Sequence, residues 1–438
     1  MDSKIKKYFS TIFACIVTIS TAKGQSTFNS LEDVWMYALK NNSNNAVYQL
    51  QIEKAKKDKK IANSYLYPKI YFVTAGQYNA EIPETPIPGE IFGKPGETIF
   101  AQFGQTYNFS RGFTISKTFL DWQSRFQAKI AESNTSLAKA EKDLFEQNLK
   151  EQAAQIYYAV LTTQAAVDLS HKDLFLADST LLLTSNRFQQ GLVDIIALNN
   201  AKINRNNALD RWEQNKRFLF ENQSNLKILL GLTTNERLIF SEKIELNTLK
   251  VEETIRPNEL SLRIYKIQTE KSQLSAKQAL SRFSPKLDLV SYYGGVQYQE
   301  EFNLSMKSSD WLASRYIGLN LSVPLFTGFA NKNQYQSAKI SQTIAQLNYN
   351  EEVRKSSLND SIILSSYNVA KSLVQTAQQN LKLADENVHI AYAKFSEGLI
   401  NLDNYLSVYD DYLAVENQYF SRLSDYLINK AIIQSRNK

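Results

Sequence analysis

Arg187-Phe188-Gln189-Gln190-Gly191-Leu192-Val193-Asp194 recurs 207 residues later as Lys394-Phe395-Ser396-Glu397-Gly398-Leu399-Ile400-Asn401. In each copy a glycine followed by two apolar residues interrupts a long proline-free stretch, the pattern of a tight reversal between two helices. The repetition continues upstream. One copy reads Thr163, Val167, Ser170, Leu174, Ala177, Leu181, Thr184, Phe188, and the other Ala370, Val374, Ala377, Leu381, Ala384, Val388, Ala391, Phe395. Both keep an unbroken 4,3 spacing in which small residues alternate with large ones, a seam that lets helices approach closely and interdigitate. An internal repeat of this size outranks any local motif. The chain is expected to hold two matching helical hairpins packed side by side.

The eight prolines confine the rest. Pro68, Pro83, Pro86, Pro88, Pro95, Pro257, Pro285 and Pro324 leave 96–256 and 325–438 free for continuous helix. In each half a helix of roughly 65 to 70 residues, ~100 Å at 1.5 Å per residue, is predicted to end at the tip, with a second long helix returning from it. Gly231 is the C-cap candidate of the first return helix. The second return helix carries Leu402, Leu406, Tyr409, Leu413, Phe420, Leu423 and Leu427 on the same spacing, with Glu416 as its one charged member.

Each half opens with a helix that ends in a related sequence. Ala62-Asn63-Ser64-Tyr65-Leu66-Tyr67-Pro68-Lys69-Ile70 matches Ala279-Leu280-Ser281-Arg282-Phe283-Ser284-Pro285-Lys286-Leu287, where the proline stops the helix and starts an extended run. Strands are predicted at about 68–78 and 107–119, joined by a Pro- and Gly-rich loop, and at about 286–298 and 315–326, joined by a polar loop. In the last of these Ile317, Leu319, Leu321, Val323 and Leu325 alternate with Tyr316, Gly318, Asn320 and Ser322, an apolar face backed by a small or polar one. Its counterpart puts Phe109, Arg111, Phe113, Ile115, Lys117 and Phe119 on one face, so that Arg111 and Lys117 interrupt the apolar surface. A membrane strand and a soluble sheet with one wet face produce the same alternation. No stretch after the first 24 residues approaches the roughly 18 apolar residues of a transmembrane helix, so any passage through a membrane is by strands. Four strands cannot close a membrane barrel, since the smallest closed ones use about eight, and copies of the chain would have to pool theirs.

Lys4, Lys6 and Lys7, an apolar run from Tyr8 to Ile19 and Ala22-Lys23-Gly24 read as a secretory signal peptide at 1–24, cleaved before Gln25. The single cysteine, Cys15, lies inside it. The formal charge of +6 owes much to the lysines of that segment, and what remains is mild and dispersed, which excludes a nucleic-acid footprint. The organisation expected is a first repeat over 25–231, a connector over 232–256 and a second repeat over 257–438. The only histidines, His171 and His389, occupy non-equivalent positions of the repeat, and there is no Gly-rich phosphate loop or ligand-spaced cluster. The reading is therefore a non-enzyme without cofactor or metal.

Taken in order, the opening helix Leu31-Glu32-Asp33-Val34-Trp35-Met36-Tyr37-Ala38-Leu39-Lys40-Asn41-Asn42, the Pro-Lys strand starts, Val323-Pro324-Leu325-Phe326-Thr327-Gly328-Phe329 after the last strand, Leu229-Leu230-Gly231 and the two tips resemble the TolC-like outer membrane efflux family. The resemblance implies a mainly α chain with a β-barrel portion. It further implies a homotrimer with twelve strands in one outer-membrane barrel and twelve long helices in a periplasmic tunnel. Such a duct would pass small molecules or proteins in a tripartite efflux or type I secretion system, with a periplasmic adaptor (membrane fusion protein) and an inner-membrane pump. The family's adaptor contacts fall by position on Arg187, Phe188, Gly191, Leu192 and Val193, and on Lys394, Phe395, Gly398, Leu399 and Ile400. Its acidic pore constriction falls on Asn404 and Ser407, a departure from the pattern, with Asp403, Asp410 and Asp411 close by; Asp403 and Asp410, one heptad apart, are the candidate ring. The competing reading is a periplasmic or surface coiled-coil scaffold whose strands form an ordinary sheet.

Overall fold

The structure, a computed structural model, describes residues 25–241 and 256–437. The signal segment and most of the connector, 242–255, lie outside the described residues. The chain runs β1 (Gln25–Phe28), α1 (Leu31–Asn41), α2 (Ser43–Ala62), β2 (Lys69–Tyr78), β3 (Glu84–Pro88), β4 (Thr98–Gln102), β5 (Tyr107–Leu120), α3 (Trp122–Gln189) and α4 (Ile195–Leu230). After β6 (Arg237–Phe240) the second half repeats the plan with α5 (Glu259–Leu280), β7 (Lys286–Gln299), β8 (Leu312–Ser322), α6 (Ala330–Ser396) and α7 (Leu402–Asn437). The two long helices have 68 and 67 residues, and both return helices have 36.

Two compact units form, and neither is a repeat. One takes the chain up to Gln49 with Lys142–Leu260 and Val353–Lys438; the other takes Leu50–Glu141 and Ser261–Glu352. Each unit therefore combines matching pieces of both halves.

In the first unit the seam residues Leu174, Ala177, Thr184, Ala370, Val374, Ala377, Val388, Ala391 and Phe395 are buried, as their spacing requires. A polar ladder joins α3 to α4. The Asn222 side-chain amide donates to the Thr163 hydroxyl at 3.1 Å, and one heptad on, Asn215 donates to the Ser170 hydroxyl, also at 3.1 Å. Gly231 ends α4 at φ 70°, with the Leu232 N–H closing on the Lys227 carbonyl at 2.9 Å. Ser30 caps α1, and the Trp35 indole donates to the Lys150 carbonyl at 2.8 Å, fixing α1 against α3. Beside it β1 pairs in parallel with β6, bringing Phe28 and Phe240 into a stack. Sequence reading placed no strand at either position; each is only 4 residues long.

In the second unit β2, β5, β7 and β8 form an antiparallel sheet in the order β2-β5-β7-β8, with β2 and β8 as free edges. The four strands expected are there within a few residues, although the last ends at Ser322 rather than near 326. Their register gathers Ile70, Phe72, Phe113, Ile115, Leu287, Leu289, Tyr293, Ile317, Leu319 and Leu321 on one face. Ile317, Leu319 and Leu321 are 77, 68 and 62% exposed, too much contiguous apolar surface for water. The opposite face carries Ser110, Thr114, Ser116, Thr118, Gly318 and Asn320. The charges that interrupt the apolar face are accommodated. The Lys117 ammonium turns back to donate to the carbonyls of Tyr65, at 3.2 Å, and Leu66, and the Arg111 guanidinium lies 4.0 Å from the Trp311 ring centre. The loop expected after β2 instead holds the β3–β4 hairpin, whose strands contain Pro86 and Pro88; a two-stranded ribbon leaves outward positions where no N–H is needed.

Candidate functional site at the helical tips

The tips are twin reversals. At the first, Gly191 takes φ 72°, its N–H bonds the Phe188 carbonyl and the Leu192 N–H bonds that of Arg187, each at 2.9 Å. At the second, Gly398 takes φ 82°, its N–H bonds the Phe395 carbonyl at 3.0 Å and the Leu399 N–H bonds that of Lys394 at 2.9 Å. Only glycine adopts this left-handed backbone without strain. Asp194 then caps α4 by accepting from the Ala197 N–H at 2.8 Å, and Asn401 caps α7 by accepting from the Asn404 N–H at 2.9 Å. The geometry leaves Leu192 68% and Leu399 69% exposed, with Ile195 and Ile196 continuing the apolar surface beside the first tip. Val193 and Ile400 are half-buried, and Lys394 is exposed.

Two candidate contacts turn out to be occupied within the chain. Phe395 is buried, at 2%, in a cluster with Leu402, Tyr405 and Val388, whereas its counterpart Phe188 is 37% exposed. Arg187 reaches across from the end of α3 to the end of α6. Its guanidinium donates to the carbonyls of Phe395 at 2.9 Å and Ser396 at 3.0 Å, and covers the Phe395 ring at 5.0 Å. The last carbonyls of a helix lack partners in their own helix and carry its negative end, so a cation there satisfies both needs. The two tips are thereby fastened together.

Of the candidate gate residues, Asp403, Asn404, Ser407 and Asp410 are all exposed on α7. Asp403 accepts from the Asn200 amide of α4 at 3.3 Å, and Asn404, with Asp411 and Val408, lines a groove of about 610 Å³ between α6 and α7. All four lie within two turns of α7, where Asp403, Ser407 and Asp410 share one exposed stripe.

Sequence reading missed a buried polar cluster behind them. Tyr405, Tyr409 and Tyr412 of α7 are buried, and the Tyr409 hydroxyl donates to the Asp173 carbonyl of α3 at 3.3 Å. Asp173 and Glu416, each 6% exposed, lie close enough within this cluster for their charges to act on one another. Burial raises both carboxyls above the ordinary carboxylate range, and for Glu416 the neighbouring Asp173 charge adds to the rise. Arg211 of α4 and Lys172 oppose the rise at Asp173, and Asp385 of α6 adds to it. Glu416 as the lone charge in an apolar series was the available signal; nothing in the sequence pointed to Asp173 as its partner.

The geometry is that of a channel family. The chain matches the family described as Outer membrane efflux protein over residues 36–232 and 253–434. Among solved structures it is similar to the Campylobacter jejuni CmeC outer membrane channel, with TM-score 0.79, 17% identity and coverage of 93% of this chain and 85% of that one. The Neisseria gonorrhoeae MtrE outer membrane channel gives TM-score 0.75, 15% identity and coverage of 93% and 88%. The Vibrio cholerae outer membrane protein VceC gives 0.69, 16%, 92% and 95%. No curated protein matches the chain. The sheet with its unprotected apolar face and the paired helical hairpins thus have their explanation: this chain belongs to the outer membrane efflux protein family, as an outer membrane channel protein that extends into the periplasm.

Proposed function

We propose that three copies of the chain join their sheets into one twelve-stranded barrel and form a passive duct, whose helical tips dock on a periplasmic adaptor coupled to an inner-membrane pump. The observation that carries this reading is the four-stranded sheet with free β2 and β8 edges under an apolar face. In lipid those edges leave backbone groups unpaired, and only closure with other copies satisfies them. Leu192 and Leu399, held outward by rigid reversals, form the apolar centre of the docking surface, with Phe188 and Val193 at its margin. Arg187, Phe395, Gly191 and Gly398 shape that surface from within.

Changing Leu192 and Leu399 together to Asp places charge in an apolar contact, at several kcal/mol. Trimers should still be recovered from the outer membrane while export stops. Loss of the trimers would make both leucines structural, and a monomer in the soluble periplasm would overturn the duct. We further infer that Asp403 and Asp410, exposed on α7, form rings of carboxylates in the trimer that favour cations. Asp403→Asn with Asp410→Asn should weaken cation selectivity in single-channel recordings; unchanged selectivity would remove the rings.

A further inference from the structure

The four strands of the sheet contain one carboxylate, Asp288, which lies on the polar face and pairs with Lys286 at 3.1 Å. Two arginines stand on the opposite, apolar face. Arg111 of β5 is in register with Gly295 of β7, and Arg315 of β8 with the adjacent Tyr293 of the same face, so the pair straddles β7. Both lie toward the strand ends that carry the loops, away from the ends that join the helices. Neither forms an ion pair among the described residues; each is seated on an aromatic ring instead, Arg111 at 4.0 Å from the Trp311 centre and Arg315 at 4.5 Å from that of Tyr293. The seat is built. Gly295 has no side chain, and a Cβ there would lie 3.3 Å from the Trp311 Cβ and 3.4 Å from its Cε3, so the bare backbone gives the indole room across β7. The Trp311 N–H donates to the Ser305 carbonyl at 2.9 Å and fixes the ring.

An aromatic platform orients a guanidinium but leaves its N–H fork unsatisfied. Immediately inward lie Phe113, Ile115, Ile317 and Leu319, which require acyl chains. In the pooled barrel the neighbour's β2 would flank β8, and β2 contains no carboxylate in any register. The missing partner is therefore an anion that arrives with acyl chains attached. We propose that Arg111 and Arg315 form a binding site for the phosphate of an anionic outer-leaflet lipid, whose chains lie along the Phe113–Ile317 surface. Two arginine forks suit phosphate geometry, and the rings keep them oriented toward the headgroup level. This rests on the reading of the apolar face as lipid-facing.

The test uses the full trimer in an uncharged detergent, with native mass spectrometry of retained phosphatidylglycerol against phosphatidylcholine of identical chains. Phosphatidylglycerol should be retained at least about tenfold more. Arg111→Gln with Arg315→Gln should reduce it to the phosphatidylcholine level without altering phosphatidylcholine retention. Arg111→Lys with Arg315→Lys, which keeps charge but loses the fork and the stacking, should fall between. Equal retention of both lipids by the unaltered protein overturns the site, a result that does not depend on any variant folding. Displacement of phosphatidylglycerol by millimolar inorganic phosphate would show a free-anion site instead and overturn the lipid assignment. Failure to retain either lipid would locate the error in the lipid-facing reading itself.

Discussion

α4 and α7 have the same length and the same place in the repeat, yet they have become different helices. α4 buries Leu198, Ala201, Asn204 and Ala208 and then little until Leu226 and Leu230, whereas α7 buries one face from end to end, from Leu402 through Tyr409, Glu416 and Leu423 to Ile433. Where α7 has Tyr405, Tyr409 and Tyr412, the corresponding residues of α4 are Leu198, Lys202 and Arg205. The ionisable pair is equally one-sided, since Asp173 corresponds to Asn380 and Glu416 to Leu209. The two copies share the hairpin, but α7 has the longer buried face of the two return helices. The tips show the same division. Arg187 of the first copy caps the helix of the second, while Lys394, its counterpart, is free of any such contact in the described residues.

The sharpest break of this comparison is at the phenylalanines. Phe395→Ala should cost about 3–5 kcal/mol, the range for a buried aromatic, and Phe188→Ala, at a partly exposed site, about 1 kcal/mol or less. Denaturant unfolding of the two variants measures the difference; equal losses would mean that the tips are equivalent after all.

Arg187→Ala should cost about 1–3 kcal/mol, because two helix-end carbonyls and an aromatic face lose their cation, against less than about 0.5 kcal/mol for Lys394→Ala. The same unfolding measurement, repeated in high salt, should change little for Arg187 if its grip is chiefly hydrogen bonding and stacking.

A further break of the comparison concerns pH. The Glu416 carboxyl is raised in the folded protein, so the native state keeps a proton that the unfolded chain releases near pH 4.3. Its contribution is complete below that pH and is lost as the pH climbs through the raised value, with a slope of at most about 1.4 kcal/mol per pH unit for one proton. Glu416→Gln stays neutral and should flatten that slope. An unchanged pH profile would show that the pair does not titrate there.

The features legible beforehand are those that one stretch of chain specifies alone. The 4,3 seams, the glycine reversals, the Pro-Lys strand starts and the alternation of β8 all stand where the residues put them. What escaped depends on which element lies opposite. Periodicity places Tyr409 and Leu402 on one stripe of α7, but the burial of Tyr405 and Tyr412 needs a second neighbour on the flank, and the pairing of Glu416 with Asp173 needs α3 beside it. Arg187 looked like an exposed tip cation because its acceptors, the Phe395 and Ser396 carbonyls, are backbone groups of a distant helix end. β1 and β6 are too short to show a period, and the prolines of β3 concealed a ribbon that tolerates them.

The pairing of β5 with β7 joins residues far apart in sequence, and even Thr118 and Asp288, near its closest end, are 170 residues apart. The α3–α4 hairpin lies wholly within that interval and can close through nearer contacts as soon as it leaves the ribosome or the translocon. The sheet must wait for a much larger loop to close, which is entropically costlier and slower. Until β7 arrives, the β2–β5 ribbon has a bare edge and its phenylalanines in water, the kind of surface that aggregates or is held by a chaperone. The order of synthesis thus leaves the sheet as a late and vulnerable step of biogenesis, with the α3–α4 hairpin as the scaffold already in place when it closes.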